Sequence, residues 1–117
     1  MIRFLLAATV AFTFCPVPLR AQAPKPDKEG WYDLFDGKTL KGWTAADFPK
    51  AFKVEDGLIV AGETPLTHLY YVGPVQNAKF KDFELKAEVK TRPKGNSGII
   101  FHTEFQDKGF PNKGFEF

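Results

Sequence analysis

Three residues whose side chains can transfer protons, Glu88, His102 and Glu116, lie in segments that alternate polar and apolar residues. Carboxylates and imidazole are common general acids and bases, and histidine changes its charge near neutral pH. Strand geometry turns Glu116 away from its neighbours Phe115 and Phe117. If these segments pair in one sheet, with strands about 4.8 Å apart, the three side chains line one shallow cleft. The sequence therefore predicts a catalytic set of Glu116, His102 and Glu88.

A small polar turn, Gly95-Asn96-Ser97-Gly98, lies between two of these segments. Glycine allows positive φ angles or a close approach to another group. The short side chains of Asn96 and Ser97 can hydrogen-bond the backbone or a hydroxylated ligand. We therefore predict that Asn96, Ser97 and Gly98 bind substrate.

Each candidate also has a purely structural interpretation, and the residues alone leave both interpretations open. The turn residues can simply stabilise a hairpin loop, and His102 can be a hydrogen-bonded histidine within a sheet. Glu88 belongs to a run of alternating charges that can form a solvated face with cross-strand pairs, namely Glu84, Lys86, Glu88 and Lys90. No spacing of histidine and acidic residues predicts a metal site, and we expect no cofactor.

The elements that must position these residues are short strands between regular turns. Asp-Gly pairs at 36–37 and 56–57 mark two turns. The stretch that contains Leu40, Trp43 and Phe48 is expected to be a loop with scattered apolar anchors. The predicted strands cover residues 31–35, a hairpin at 52–61, and residues 69–72, 80–91, 99–105 and 114–117. This pattern predicts an all-β fold, either a sandwich or a jelly roll.

Side-chain parity assigns faces to the two strands that carry most of the candidates. In strand 80–91 the apolar residues are expected to face a partner sheet: Phe83, Leu85, Ala87 and Val89. In strand 99–105, Ile99 and Phe101 are expected on one face, with Ile100, His102 and Glu104 on the other. His102 should therefore point away from Phe101, to the same side as Glu116.

The first 23 residues have the pattern of a secretory signal peptide. Arg3 gives a basic start, an apolar run follows to Cys15, and Ala21-Gln22-Ala23 is a small-x-small cleavage site. The apolar run is shorter than the roughly 20 residues that a membrane span needs. We therefore expect a periplasmic or secreted protein with no membrane association after cleavage.

Residues 24–30 are a charged linker, and residues 31–117 carry the domain pattern. Removal of 1–23 leaves 14 of the 16 basic residues against 14 acidic residues, so no nucleic-acid partner is expected. The single cysteine is Cys15, which excludes disulfides from the mature chain. The strand pattern at 114–117 has no turn after it, so we expect the N-terminal part of a larger domain.

Five motifs, in order from residue 31 to residue 117, resemble those of the 3-keto-disaccharide hydrolase domain family. The opening motif is Trp31-Tyr32-Asp33-Leu34-Phe35-Asp36-Gly37-Lys38-Thr39-Leu40-Lys41-Gly42-Trp43, and the second is Val54-Glu55-Asp56-Gly57-Leu58. The third is Phe80-Lys81-Asp82-Phe83-Glu84-Leu85 with Glu88, the fourth Gly95-Asn96-Ser97-Gly98-Ile99, and the fifth Lys113-Gly114-Phe115-Glu116. The family often has arginine where this chain has His102.

The resemblance implies a concanavalin A-like jelly roll and an exported hydrolase or lyase that acts on glycosides oxidised at carbon 3. It implies a carbohydrate as the partner. The alternative, on the same fold, is a carbohydrate-binding module without catalysis, since the segment lacks a self-sufficient catalytic set. The residues do not identify which group acts as the base.

Overall fold

The computed structural model describes residues 24–62 and 65–117, and its regular elements there are six short strands and two single helical turns. The strands are β1 (Trp43–Ala45), β2 (Phe52–Glu55), β3 (Leu58–Ala61), β4 (Leu69–Tyr71), β5 (Ile100–Phe101) and β6 (Phe115–Glu116); the turns are Pro49–Ala51 and Val75–Ala78. They form three antiparallel pairs, β1 with β4, β2 with β3, and β5 with β6. The predicted all-β class is confirmed, and no helix in the described ranges is long and apolar enough to cross a membrane.

The predicted hairpin at 52–61 is confirmed, with β2 and β3 in register from Phe52 opposite Ala61 to Glu55 opposite Leu58. Asp56 and Gly57 form the two-residue turn and have φ angles of +49° and +78°. Two positive φ angles are the geometry of a type I′ turn, whose twist matches that of the paired strands. The Asp-Gly turn therefore favours the register in which β2 and β3 pair.

Strand β4, predicted at 69–72, pairs with β1, a strand that the sequence pattern does not reveal. Trp43 lies opposite Tyr71, and the two rings meet edge to face with centroids 5.3 Å apart. The Trp43 indole N–H also donates to the backbone oxygen of Leu34 at 2.7 Å. The expectation of a loop here was wrong because three residues, Trp43–Ala45, are too few to show an alternating pattern. Around this pair lie the buried apolar residues Ala46, Ala51, Tyr70 and Val75.

Residues 31–35 do not form the predicted strand, whereas the turn that follows them is present. The Asp36 carboxylate accepts hydrogen bonds from the backbone N–H of Lys38 at 2.8 Å and of Thr39 at 2.6 Å, and from the Thr39 hydroxyl at 2.6 Å. These bonds, led by that from the hydroxyl, lower the pKa of Asp36 to about 2. The local bonds fix the turn, but residues 31–35 find no strand partner among the described residues.

Residues 80–91 do not form the predicted strand, and residues 81–92 are exposed throughout. A strand needs a hydrogen-bonded neighbour, and none pairs with this segment in the part of the chain that the structure describes. The predicted sidedness is nevertheless partly present. Phe83, Leu85 and Ala87 line one hollow, and Ile99 and Phe101 line the same hollow.

A row of aromatic rings connects the β1–β4 pair to the β5–β6 pair. Centroid distances between successive rings are 5.3 to 6.1 Å along Trp43, Tyr71, Phe80, Phe83, Phe101 and Phe115. Aromatic contacts of this kind add stability beyond the area that they bury. The row therefore holds residues 80–83 against β5 although no backbone ladder forms there.

Candidate functional site

The β5–β6 pair fixes the position of Glu116. Two backbone bonds join Ile99 and Phe117, at 3.0 Å and 2.9 Å, and place Ile100 opposite Glu116 and Phe101 opposite Phe115. Alternate residues of a strand point to opposite faces. Glu116 therefore lies on the face opposite Phe115 and Phe117, as parity predicts, and it is exposed there.

The Glu116 side chain lies directly over Gly98. A β-carbon at position 98 would stand 2.9 Å from Cγ and 3.1 Å from Cδ of Glu116, and closer still to Oε1. A side chain at position 98 would therefore require the exposed, flexible Glu116 side chain to move. The structure thus brings together two of the predicted site residues, Gly98 of the polar turn and Glu116.

A second glycine, Gly114, allows β6 to begin close to β5. Its φ is +123°, and a β-carbon there would meet Phe101 O at 2.8 Å and Ile100 Cγ2 at 2.9 Å. Both the backbone conformation and the available space therefore require glycine. The Gly114-Phe115-Glu116 sequence therefore sets the register between β5 and β6 that places Glu116 next to Gly98.

His102 does not share this face, which corrects the parity prediction. Its φ is +54°, so the strand ends at Phe101 and the alternation of faces stops there. The imidazole instead lies near Phe101, Phe83 and Phe115, with centroids 5.5, 5.8 and 6.4 Å away. Its Nε2 is 3.2 Å from the backbone oxygen of Lys81. The prediction failed because a single left-handed residue cannot be read from an alternating pattern.

His102 lies at the rim of an open hollow of about 610 Å³ on this aromatic face. Six apolar residues line it, Phe83, Leu85, Ala87, Ile99, Phe101 and Phe117, with Lys81 and Asp82 beside His102. Glu116 is not among the lining residues. The structure therefore separates the candidates into a carboxylate over a glycine on one face and an imidazole beside aromatic rings on the other.

The remaining candidates lie on exposed chain. The turn is centred at Arg92–Gly95, where the Gly95 N–H donates to Arg92 O at 2.8 Å, rather than at 95–98. Asn96 and Ser97 are exposed and lead from that turn to Gly98. Glu88 is exposed on segment 80–91, and the described residues do not form the three-stranded sheet that would align it with Glu116.

Sequence reasoning did not single out a further polar group, which lies on and beside β4. Tyr70 is 8% exposed, and burial, with a smaller effect of the Asp47 charge, raises the pKa of its hydroxyl. His68 lies two residues earlier, and its ring centroid is 6.3 Å from that of Tyr70. His68 and Tyr70 are alternate residues of a strand pattern. This spacing could have predicted that their side chains share one face.

The exposed carboxylate of Glu116 can accept hydrogen bonds from sugar hydroxyls or exchange a proton. Within the described ranges, no group of three or more histidine, cysteine or acidic residues is placed to hold a metal ion.

Comparisons with known proteins agree with the motifs. A family model described as a 3-keto-alpha-glucoside-1,2-lyase-like domain matches residues 30–117. A curated relative from Bacteroides thetaiotaomicron, named 3-keto-disaccharide hydrolase, is 32% identical over 91 residues, which cover 64% of this chain. The chain spans 28% of the length of that relative. No solved structure is significantly similar to the chain.

Proposed function

This chain belongs to the family of 3-keto-alpha-glucoside-1,2-lyase-like domains, and we propose that it acts, within its full-length protein, in cleaving glycosides oxidised at carbon 3. The observation that carries the proposal is the family match over residues 30–117, which includes both Gly98 and Glu116. The name of the curated relative, a 3-keto-disaccharide hydrolase, supports the same class of substrate.

The ketone determines what the cleavage requires. A carbonyl at carbon 3 acidifies the hydrogen at carbon 2, so a base can remove that proton to form an enolate. The enolate expels the substituent at carbon 1, whose oxygen takes a proton from an acid, and a double bond forms between carbons 1 and 2. Water then adds its oxygen to carbon 1 and a proton to carbon 2. The sum is hydrolysis of the glycosidic bond.

This scheme needs one base, one acid and hydrogen-bond donors to the enolate oxygen. It does not need the paired carboxylates of an ordinary glycosidase. A single exposed carboxylate such as Glu116 is therefore compatible with the reaction. We propose that Glu116 binds the sugar and acts as the base or the acid of this scheme, and that Asn96 and Ser97 contact substrate hydroxyls.

Export is part of the proposal, because a signal-like segment at 1–23 precedes the family match. That segment, with Cys15, lies outside the described residues. A periplasmic or secreted location would give the protein access to sugars outside the cytoplasm.

The test is turnover by the full-length gene product of a 3-keto-disaccharide and of the same disaccharide without the ketone. We expect release of free sugar from the oxidised substrate only. In deuterium oxide, elimination and hydration place deuterium at carbon 2 of the product, and product incubated alone corrects for spontaneous exchange. Cleavage without deuterium at carbon 2 would exclude the elimination scheme. Binding of both sugars without cleavage would favour the carbohydrate-binding alternative.

A further inference from the structure

A second cleft, of about 230 Å³, lies between the segment that follows β5 and the segment that precedes β6. Five polar residues and one aromatic residue line it, namely Thr103, Glu104, Gln106, Asn112, Lys113 and Phe105. The side chains of Glu104, Asn112 and Lys113 are exposed and form no hydrogen bond or ion pair with any other described residue. The cleft therefore presents a carboxylate, an amide and an ammonium group that are free to bind a ligand.

The loop that forms one side of this cleft is fixed by hydrogen bonds. The Gln106 carboxamide donates to the backbone oxygen of Phe110 at 2.7 Å and accepts the backbone N–H of Asn112 at 3.0 Å. Asp47 holds the loop from outside, because its Oδ2 accepts the Gly109 N–H at 2.8 Å. A ligand would therefore meet a backbone that is already ordered, so less conformational entropy is lost on binding.

The cleft adjoins the face of the β5–β6 pair that carries Glu116. Ile100 lies opposite Glu116, and directly opposed residues of two paired strands share a face. A β-carbon on Gly114 would point to this face, since it would meet Ile100 Cγ2 at 2.9 Å and Thr103 Cβ at 3.1 Å. Thr103, which lines the cleft, therefore lies beside Ile100 on the Glu116 face. Gly114 and Glu116 are two strand residues apart, a distance of about 7 Å, so one elongated ligand can reach both Glu116 and the cleft.

We propose that this cleft binds the unoxidised sugar unit of a disaccharide substrate, which is the unit that leaves when the glycosidic bond is cleaved. The assignment rests on the proposed function, in which Glu116 acts on the oxidised unit. Sugar hydroxyls both donate and accept hydrogen bonds, so Glu104 can accept from them, Lys113 can donate to them and the Asn112 amide can do either. The opposite charges of Glu104 and Lys113 suit a neutral ligand, and the Phe105 ring adds an apolar wall.

The experiment uses the full-length protein and measures its dissociation constant for glucose by NMR titration and its kcat/KM for two substrates. One substrate is a 3-keto-disaccharide whose second unit is glucose, and the other is methyl 3-keto-glucoside, which lacks that unit. The double variant Asn112→Ala, Lys113→Met removes two exposed polar groups and keeps the backbone bond between Asn112 and Gln106. We expect it to weaken glucose binding at least about fivefold, and to lower kcat/KM at least about fivefold more for the disaccharide than for the methyl glycoside.

Lys108→Met is the matched control, because Lys108 is an exposed residue of the same loop that does not line the cleft. This variant should bind glucose as the parent does. Glucose binding that is undetectable in the parent, or equal in the parent and the double variant, would overturn the proposal, and so would an equal loss of kcat/KM on both substrates. If neither substrate is cleaved, the proposed function fails, whereas glucose binding still decides whether the cleft holds a sugar.

Discussion

Glu116 and Gly98 form a pair in which the carboxylate side chain occupies the space that a β-carbon at position 98 would need. Glu116 Cγ and Cδ would lie 2.9 and 3.1 Å from such a carbon. The two residues are 18 positions apart in the sequence, in two different motifs. The β5–β6 register brings them together. Gly98 therefore leaves the exposed Glu116 side chain room that a larger residue would take.

This pair predicts that Gly98→Ala displaces the Glu116 carboxylate. We expect turnover of a 3-keto-disaccharide to fall at least about tenfold, since a misplacement of about 1 Å can cost a factor of 100. Gly62→Ala is the control, because a β-carbon there would meet Ala51 O at an ordinary 3.4 Å. Equal turnover by the parent and Gly98→Ala would show that the carboxylate position is not critical.

The β2–β3 hairpin predicts a stability effect that is independent of activity. Gly57 has a φ of +78°, which a β-carbon disfavours by about 1 to 2 kcal/mol. We expect Gly57→Ala to lower the free energy of unfolding by about that amount in urea titrations. Gly57→Asn should cost less because asparagine tolerates this conformation. Equal stability of all three proteins would mean that this turn does not set the strand register.

The hairpin was predictable because its information is local. Asp56-Gly57 lies between two alternating segments, and the turn geometry alone fixes which residues pair. The Asp36 turn was predictable for the same reason. Glu116 was placed on the correct face because only its immediate neighbours, Phe115 and Phe117, determine that face.

The failures concern features that depend on distant partners or on single dihedral angles. Segment 80–91 has a clear alternating pattern, yet a ladder requires a neighbouring strand that the pattern itself does not supply. His102 leaves the strand through one positive φ angle, which no periodicity records. The buried position of Tyr70 depends on Phe105, which is 35 residues away in the sequence.

Asp36 predicts a pH dependence of stability. Its pKa in the folded chain is about 2 against an ordinary value of 3.8, so the folded state favours the ionised form. The resulting stabilisation is present above about pH 4 and is lost as the pH falls through about 2. In denaturant titrations at several pH values, we expect Asp36→Asn to reduce the loss of folding stability between about pH 4 and pH 2, whereas Asp33→Asn retains that loss. The same loss of stability in Asp36→Asn as in the parent would contradict the assignment.

The signal-like segment predicts that mature protein lacks residues 1–23. Intact-mass measurement of protein recovered from the periplasm or the medium should give a chain that begins at or near Pro24. Substitution of Ala21 and Ala23 by bulky residues should retain the uncleaved form. Recovery of exported protein that begins at Met1 would contradict the prediction.

The central claim is that Glu116 acts on the substrate, and its most direct test is turnover of a 3-keto-disaccharide by the full-length protein and its Glu116→Gln variant. Glutamine keeps the shape over Gly98 and removes the ionisable group, so we predict a loss of at least about 100-fold. His102→Ala should cost less, because the imidazole lies on the other face of β5 beside Phe83 and Phe101. Wild-type turnover by a folded Glu116→Gln protein would contradict the account.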